Sequence, residues 1–151
     1  MCKVYGLYKC AHTLYGIGVP LFPKVIYYFM RFVFTTSIPY TATVGRNTSF
    51  NNWGMGIVIH RRVVIGKNCM IGQCVTIGGR SGHYEVPVLG DNVMVGVGAK
   101  ILGPIRVGDH AKIGANAVVL QDVPPYAVGA GVPARIIKRS VPMTNVTAAS
   151  K

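Results

Sequence analysis

Three small sets of side chains in this 151-residue sequence could perform chemistry. Histidines exchange protons near neutral pH, and the chain has His12, His60, His83 and His110. Paired-carboxylate and carboxylate-metal chemistry are disfavoured, because the acidic residues are only Glu85, Asp91, Asp109 and Asp122. The cysteines contain no CxxC pair and no accompanying His-x3-His, so neither a zinc site nor a redox motif is indicated; they are Cys2, Cys10, Cys69 and Cys74.

The chain is strongly basic, with 16 Lys and Arg against 4 Asp and Glu, a formal charge of +12. This excess predicts a polyanionic partner: nucleic acid, acidic lipid headgroups or a phosphorylated cofactor. The basic residues are scattered rather than clustered, which argues against nucleic acid. The longest apolar stretch, residues 19–34, contains two prolines and two cations and is shorter than a membrane span. With no recognisable signal peptide, we expect a cytoplasmic protein.

A six-residue repeat dominates residues 59–124, which divide into eleven consecutive frames. The first position is aliphatic in ten frames, and the second position is Gly in seven. The fifth position is small or branched nearly throughout. Because the fifth position and the next first position are two residues apart, both point inward from one short strand. Glycine at the second position is expected to allow a positive φ at each corner.

These features predict an all-β chain wound into a parallel β-helix with a narrow apolar core. The repeat fails across residues 80–87, which predict a loop leaving the coil. Such loops often carry binding groups.

Residues 1–40 have a different character and predict two short helices, with Pro23 opening the second. Two interpretations are open: the helices cap the first coil of the β-helix, or their aromatic side chains beside Lys24 and Arg31 lie on an acidic membrane surface. We expect three parts: a helical cap at 1–40, a β-helix at 41–138 with its loop at 80–87, and a mobile tail at 139–151.

Five segments, taken in order, resemble the hexapeptide-repeat acyltransferases and, within them, the serine acetyltransferase-like branch. They are GIVIH at 56–60, VTIGG at 75–79, GAKILG at 98–103, KIGA at 112–115 and AGVPAR at 130–135. The resemblance implies a left-handed parallel β-helix, a homotrimer with active sites between subunits, and acetyl-CoA as the donor, without a metal.

The resemblance also implies site residues. His60 matches the catalytic histidine, although a structural or surface role for it remains open. As a general base, the His60 imidazole would take the proton of the acceptor hydroxyl. Backbone N–H groups near Gly78 and Gly79 would stabilise the oxyanion. Contacts to the CoA moiety are implied for Gly78, Gly79, Arg80, Val97, Ala99, Lys112, Ala115, Arg135 and Lys138.

Two departures from serine acetyltransferases affect this assignment. Those enzymes place Asp before the catalytic His, where this chain has Ile59, so we expect a backbone carbonyl or Glu85 to orient His60. They also place a second His before the loop proline, where this chain has Val86; His83 is a candidate replacement, the alternative being a solvent-exposed residue.

The large N-terminal helical domain of those enzymes is absent as well. We therefore expect a sugar or lipid-linked polysaccharide precursor as the acceptor, with the enzyme in the cytoplasm or at the inner face of the membrane. Serine O-acetyltransferase is the first alternative. A zinc carbonic anhydrase on the same fold is a more remote one, because the spacing of His60, His83 and His110 does not match that family's ligands.

Overall fold

The computed structural model describes residues 3–19 and 21–139. Two helices, α1 (Lys3–Gly16) and α2 (Leu21–Phe34), precede a series of very short strands. Neither helix has the length and apolar character to cross a bilayer.

The strands form three sheets, which are the three faces of a β-helix of about four turns. Face 1 contains β3 (Val58–Ile59), β6 (Thr76–Gly78), β9 (Lys100–Leu102) and β12 (Val118–Val119). Face 2 contains β1 (Thr43–Val44), β4 (Val64–Ile65), β7 (Val88–Leu89) and β10 (Arg106–Val107). Face 3 contains β2 (Ser49–Phe50), β5 (Met70–Ile71), β8 (Met94–Val95), β11 (Lys112–Ile113), β13 (Ala127–Gly131) and β14 (Ala134–Arg139).

Neighbouring strands on each face are parallel and in register, for example Ile59 with Ile77 and Ile77 with Ile101. The exception is the final pair, β13 and β14, which is antiparallel. First-position aliphatic residues and fifth-position residues such as Cys69 fill the core. The predicted parallel β-helix with an N-terminal helical cap is confirmed. Of the tail predicted at 139–151, Arg139 is the last residue of β14 and residues 140–151 lie outside the described residues.

The backbone of the corners contradicts the expected role of the second-position glycines. Positive φ occurs at the fourth position of the frame, as in Asn68, Asn92 and His110, and not at the second-position glycines. Six of the seven, all but Gly78, are required by close packing between coils instead: a Cβ on Gly66, for example, would lie 2.5 Å from the carbonyl carbon of Gly90. The absence of a side chain therefore allows successive corners to stack.

Helix α1 closes the first coil through buried polar contacts. The Tyr8 hydroxyl donates to the Ala42 carbonyl at 2.6 Å and accepts the Val44 N–H at 3.2 Å. Its neighbour Tyr5 donates to the Gly45 carbonyl at 3.1 Å. His12, for which the sequence suggests no partner, pairs through Nδ1 with the Tyr40 carbonyl at 2.7 Å. These bonds satisfy backbone groups that the first coil would otherwise leave unpaired.

Candidate active site

His60 lies at the corner between face 1 and face 2, immediately after β3. Its backbone N–H donates to the Ile77 carbonyl at 2.9 Å, which extends the face 1 ladder by one residue. This register places His60 beside Gly78, and Gly78 pairs with Leu102 in the next coil. We call the corners between faces 1 and 2 the His60 edge. The imidazole is half-buried there.

The imidazole of His60 has a backbone partner different from those expected. The Arg62 N–H donates to His60 Nδ1 at 3.3 Å. A neutral ring that accepts at Nδ1 carries its proton on Nε2, so Nδ1 cannot also donate to a carbonyl. Glu85 is exposed and makes no hydrogen bond or ion pair with the ring within the described chain. Within the described chain neither a carbonyl nor Glu85 bonds to the ring, so the expected orienting partner of His60 stays a prediction.

The surroundings of His60 favour the neutral imidazole. Removal from water is the largest cause, and the positive charges of Arg62 and Arg61 add to it; together they lower the pKa of His60 below its ordinary value. At pH 7 the ring is therefore in the form that can accept a proton.

Arg62 links His60 to the loop of residues 80–87, a role that the sequence did not reveal. Its guanidinium lies 3.7 Å from the centre of the Tyr84 ring and also donates to the Tyr84 carbonyl. Arg62 Nε is buried and has no hydrogen-bond partner among the described residues. Two adjacent arginines after His60 were the available sequence signal. The contacts of Arg62 with Tyr84 hold the loop against the corner that carries His60.

The loop residues His83 and Glu85 are both exposed. The loop turns back on itself where the His83 N–H donates to the Arg80 carbonyl at 3.1 Å. Neither the His83 ring nor the Glu85 carboxylate forms a hydrogen bond or ion pair with His60 within the described residues. The structure thus places both side chains on a loop held at the His60 edge, but it does not assemble them with His60.

Three predicted cofactor-binding residues, Gly78, Gly79 and Arg80, lie on the His60 edge. A Cβ on Gly78 would meet no atom within 4 Å, so open space lies beside His60 at this point. The Gly79 N–H makes no hydrogen bond within the described chain, and the Arg80 side chain packs over Gly103. This combination of a base, open space and a free N–H is suited to a reaction that develops negative charge on oxygen.

Val97 and Ala115 lie on a different edge, at the corners between face 3 and face 1. We call these corners the Val97 edge. Both residues are exposed, and the Asn116 N–H donates to the Val97 carbonyl at 2.8 Å, which stacks one corner on the next. Lys100 is a further cation here that the sequence reasoning missed: its Nζ donates to the Cys74 carbonyl at 2.8 Å and to the Gly98 carbonyl at 3.0 Å.

The predicted contact between Ala99 and the cofactor is wrong. Ala99 occupies the inward fifth position and is 0% exposed. Its N–H donates to the Gly96 carbonyl at 3.3 Å, and its carbonyl accepts the Thr76 N–H at 3.0 Å. Neither its side chain nor its backbone is available to a ligand.

The three cations predicted to contact CoA lie on face 3 and its last strand. Lys112 is exposed on β11 of face 3, and Arg135 and Lys138 are exposed on β14 at the end of that face. A single chain therefore brings Gly78, Gly79 and Arg80 to His60 but leaves the other predicted cofactor residues on separate surfaces. Within residues 3–19 and 21–139, no group of three or more His, Cys, Asp or Glu side chains is arranged to hold a metal ion.

Comparison with known proteins identifies relatives of this chain. Residues 87–121 match the family described as bacterial transferase hexapeptide (six repeats). The serine acetyltransferase of Synechococcus elongatus is 40% identical over 136 residues, covering 88% of this chain and 55% of the relative. That of Mycobacterium tuberculosis is 38% identical over 141 residues, covering 92% and 61%.

A solved serine acetyltransferase in complex with CoA has a similar structure. It superposes with a TM-score of 0.81 at 39% identity, covering 89% of this chain and 55% of that one. This chain thus spans little more than half the length of the relatives it matches.

These relatives correct the predicted acceptor. A function in sugar O-acetylation and polysaccharide biosynthesis was expected, but the similar proteins are serine acetyltransferases, which was the alternative. By its repeat, its β-helix and its relatives, the chain belongs to the hexapeptide-repeat transferases and is similar, within them, to the serine acetyltransferases.

Proposed function

We propose that this protein transfers an acetyl group from acetyl-CoA to the hydroxyl of serine. The supporting observation is its identity of 38–40% with serine acetyltransferases over 88–92% of its length. That span takes in nearly all of the described chain, including the corner that carries His60. A solved relative binds CoA, which supports a CoA thioester as the donor.

In the proposed reaction His60 acts as the general base. The neutral imidazole takes the proton of the serine hydroxyl while the oxygen attacks the thioester carbonyl carbon. The C–S bond then breaks, and the imidazolium returns the proton to the departing thiolate. The free N–H of Gly79 is the proposed donor to the oxyanion. For Nε2 to accept the proton, the neutral ring must carry its own proton on Nδ1, which displaces the Arg62 N–H from that atom.

The proposed active site requires a second copy of the chain. His60, Gly79 and Arg80 lie on the His60 edge of the β-helix, whereas Val97 and Ala115 lie on the Val97 edge. Since face 1 separates these edges in one chain, packing the His60 edge of one subunit against the Val97 edge of its neighbour is the arrangement that unites them. A closed homotrimer with three equivalent sites satisfies this requirement.

The exposed cations are proposed to hold the phosphates of CoA. Lys112, Arg135 and Lys138 all lie on face 3 or its last strand, with their side chains accessible. Guanidinium and ammonium groups form charge-assisted hydrogen bonds with phosphate oxygens. His83 and Glu85 remain proposed contributors from the loop, and their partner would be the neighbouring subunit rather than the His60 ring of their own chain.

The division of the chain at residues 40 and 138 is likewise a proposal, supported by the change from helix to strand between Phe34 and Thr43. Contact of the N-terminal helices with an acidic membrane is also a proposal, one that concerns helix α2 and not the catalytic step.

The direct experiment measures CoA thiol release and O-acetylserine formation from acetyl-CoA and L-serine. We expect both products in equal amounts, and no thiol release above background without serine. His60→Asn should reduce kcat at least 100-fold, within the usual range for a general base, whereas His110→Asn, at an exposed corner stacked on Tyr126, should retain activity. Equal activity of the two variants would refute the role of His60; absence of O-acetylserine from the wild-type protein would refute the proposed reaction.

A further inference from the structure

Helix α2 is apolar on two opposite sides. One side faces the rest of the chain: Pro23 and Met30 are buried and Ile26 is half-buried. The opposite side consists of large apolar side chains that are 51–91% exposed: Leu21, Phe22, Val25, Tyr28, Phe29, Phe32 and Val33. A helix that is apolar nearly all round is normally covered on both sides.

The exposed residues form a continuous surface, which we call the α2 apolar face. Leu21, Val25, Tyr28 and Phe32 follow one another at spacings of four, three and four residues, so they line a single stripe. Phe22, Phe29 and Val33 form the adjacent stripe. Phe32, near the C-terminal end of the face, is 91% exposed. Soluble monomers rarely leave so contiguous an apolar surface in water.

Positive charge borders this face. Lys24 and Arg31 are seven residues apart and so lie together along one flank of α2. The first acidic residue of the whole sequence is Glu85; residues 1–84 contain only cations among their Asp, Glu, Lys and Arg: Lys3, Lys9, Lys24, Arg31, Arg46, Arg61, Arg62, Lys67 and Arg80. An apolar stripe flanked by cations, in a region without anions, is complementary to an acidic surface with an apolar interior.

A second copy of the same face is a poorer partner. Packing two α2 apolar faces together would bring Lys24 and Arg31 of each copy near those of the other. No carboxylate from residues 1–84 could then offset the repulsion. A lipid surface avoids this penalty, because its headgroups supply the negative charge.

We propose that α2 binds an anionic phospholipid membrane, lying parallel to its surface with Phe32 and Phe29 inserted among the acyl chains. With 14 residues, α2 extends about 21 Å, which suits a helix in the interface and is too short to span the bilayer. Lys24 and Arg31 contact the headgroups along the flank. The β-helix is thereby held next to the membrane by its N-terminal end.

The test measures co-sedimentation of the full chain with vesicles of phosphatidylcholine alone and of phosphatidylcholine with phosphatidylglycerol. We expect binding to the phosphatidylglycerol vesicles at least tenfold tighter than to the neutral ones, and weaker at high salt. Lys24→Gln and Arg31→Gln should each weaken only the anionic binding, by about fivefold. Phe32→Ser should weaken binding to anionic vesicles at least tenfold.

Two controls make the outcome decisive. Tyr84→Ser removes an exposed aromatic ring from the loop of residues 80–87, which is not part of the α2 apolar face, and should leave vesicle binding unchanged. Thermal unfolding of Phe32→Ser should match that of the wild type, because this side chain has little packing to lose. Equal binding to both vesicle types would overturn the proposal, as would a Phe32→Ser variant that binds like the wild type or changes the oligomeric state instead. The measurement uses no acetyl-CoA, so it is independent of the proposed reaction.

Discussion

Replacing Tyr8 with Phe tests how helix α1 is joined to the β-helix. The Tyr8 side chain is 1% exposed, and its hydroxyl is the hydrogen-bond partner of both the Ala42 carbonyl and the Val44 N–H. Val44 belongs to β1, the edge strand of face 2, so this N–H has no strand on its outer side. Tyr8→Phe removes the hydroxyl while keeping the ring that fills the core.

The expected loss of stability follows from the two groups left unpaired. A buried donor or acceptor without a partner costs about 1–3 kcal/mol. With one carbonyl and one N–H affected, we expect the free energy of unfolding at pH 7 to fall by about 2–6 kcal/mol.

The difference between Tyr8→Phe and the wild type should shrink in alkali. Burial is the main cause that raises the pKa of Tyr8 from 10.0 to about 12. Between these values the unfolded chain releases the phenol proton while the folded chain keeps it, so the stability due to Tyr8 falls as pH rises. Across the two units the wild type should lose about 2.7 kcal/mol that the variant cannot lose. Below pH 10 this contribution is constant.

Urea unfolding curves at pH 7, 9, 10 and 11 provide the measurement. Tyr28→Phe is the matched control, because Tyr28 is 65% exposed and its hydroxyl makes no hydrogen bond in the described chain. Its stability should follow the wild type at every pH. A Tyr8→Phe variant as stable as the wild type at pH 7, or a gap between the two that stays constant up to pH 11, would refute the role assigned to the buried hydroxyl.

Three further predictions concern the core, the corners and His60. Ile77→Ala empties a fully buried position and should lower the free energy of unfolding by about 2–5 kcal/mol in urea titrations. Gly66→Ala should prevent stable folding, whereas Gly78→Ala, which points into open space, should keep the wild-type melting temperature but reduce acetyl transfer. Because Arg62 helps to lower the pKa of His60, the acidic limb of a kcat/KM–pH profile should lie below the ordinary histidine pKa and should move to higher pH in Arg62→Gln.

The six-residue period predicted the fold because it reports directly on which side chains point inward. It could not explain the glycines correctly. Whether Gly66 is needed for its φ or for lack of a Cβ depends on the position of the next coil, and Gly90 lies 24 residues away in sequence. The fourth-position residues Asn68 and Asn92 held the true signal of positive φ, since Asn tolerates the left-handed region better than other side chains.

The candidate site was predicted less well, for two different reasons. The contacts of Arg62 with His60 and Tyr84 depend on how the loop folds back, which a local pattern does not specify. Ala99 is a different case: the repeat already placed it at the inward fifth position. Positional matching to a family disagreed with the alternation of the strand, and the alternation was right.

The separation of the two edges provides the final test of the proposed active site. If one site uses His60 from one subunit and Ala115 from the next, two inactive variants should complement each other. His60→Ala and Ala115→Glu each abolish activity alone in this scheme. Refolded together in equal amounts, randomly mixed trimers contain both intact edges at about one quarter of their interfaces, so the mixture should recover about a quarter of wild-type activity. A mixture as inactive as its components would contradict the shared site, because both edges would then have to come from one chain. In one chain, however, face 1 separates the two edges.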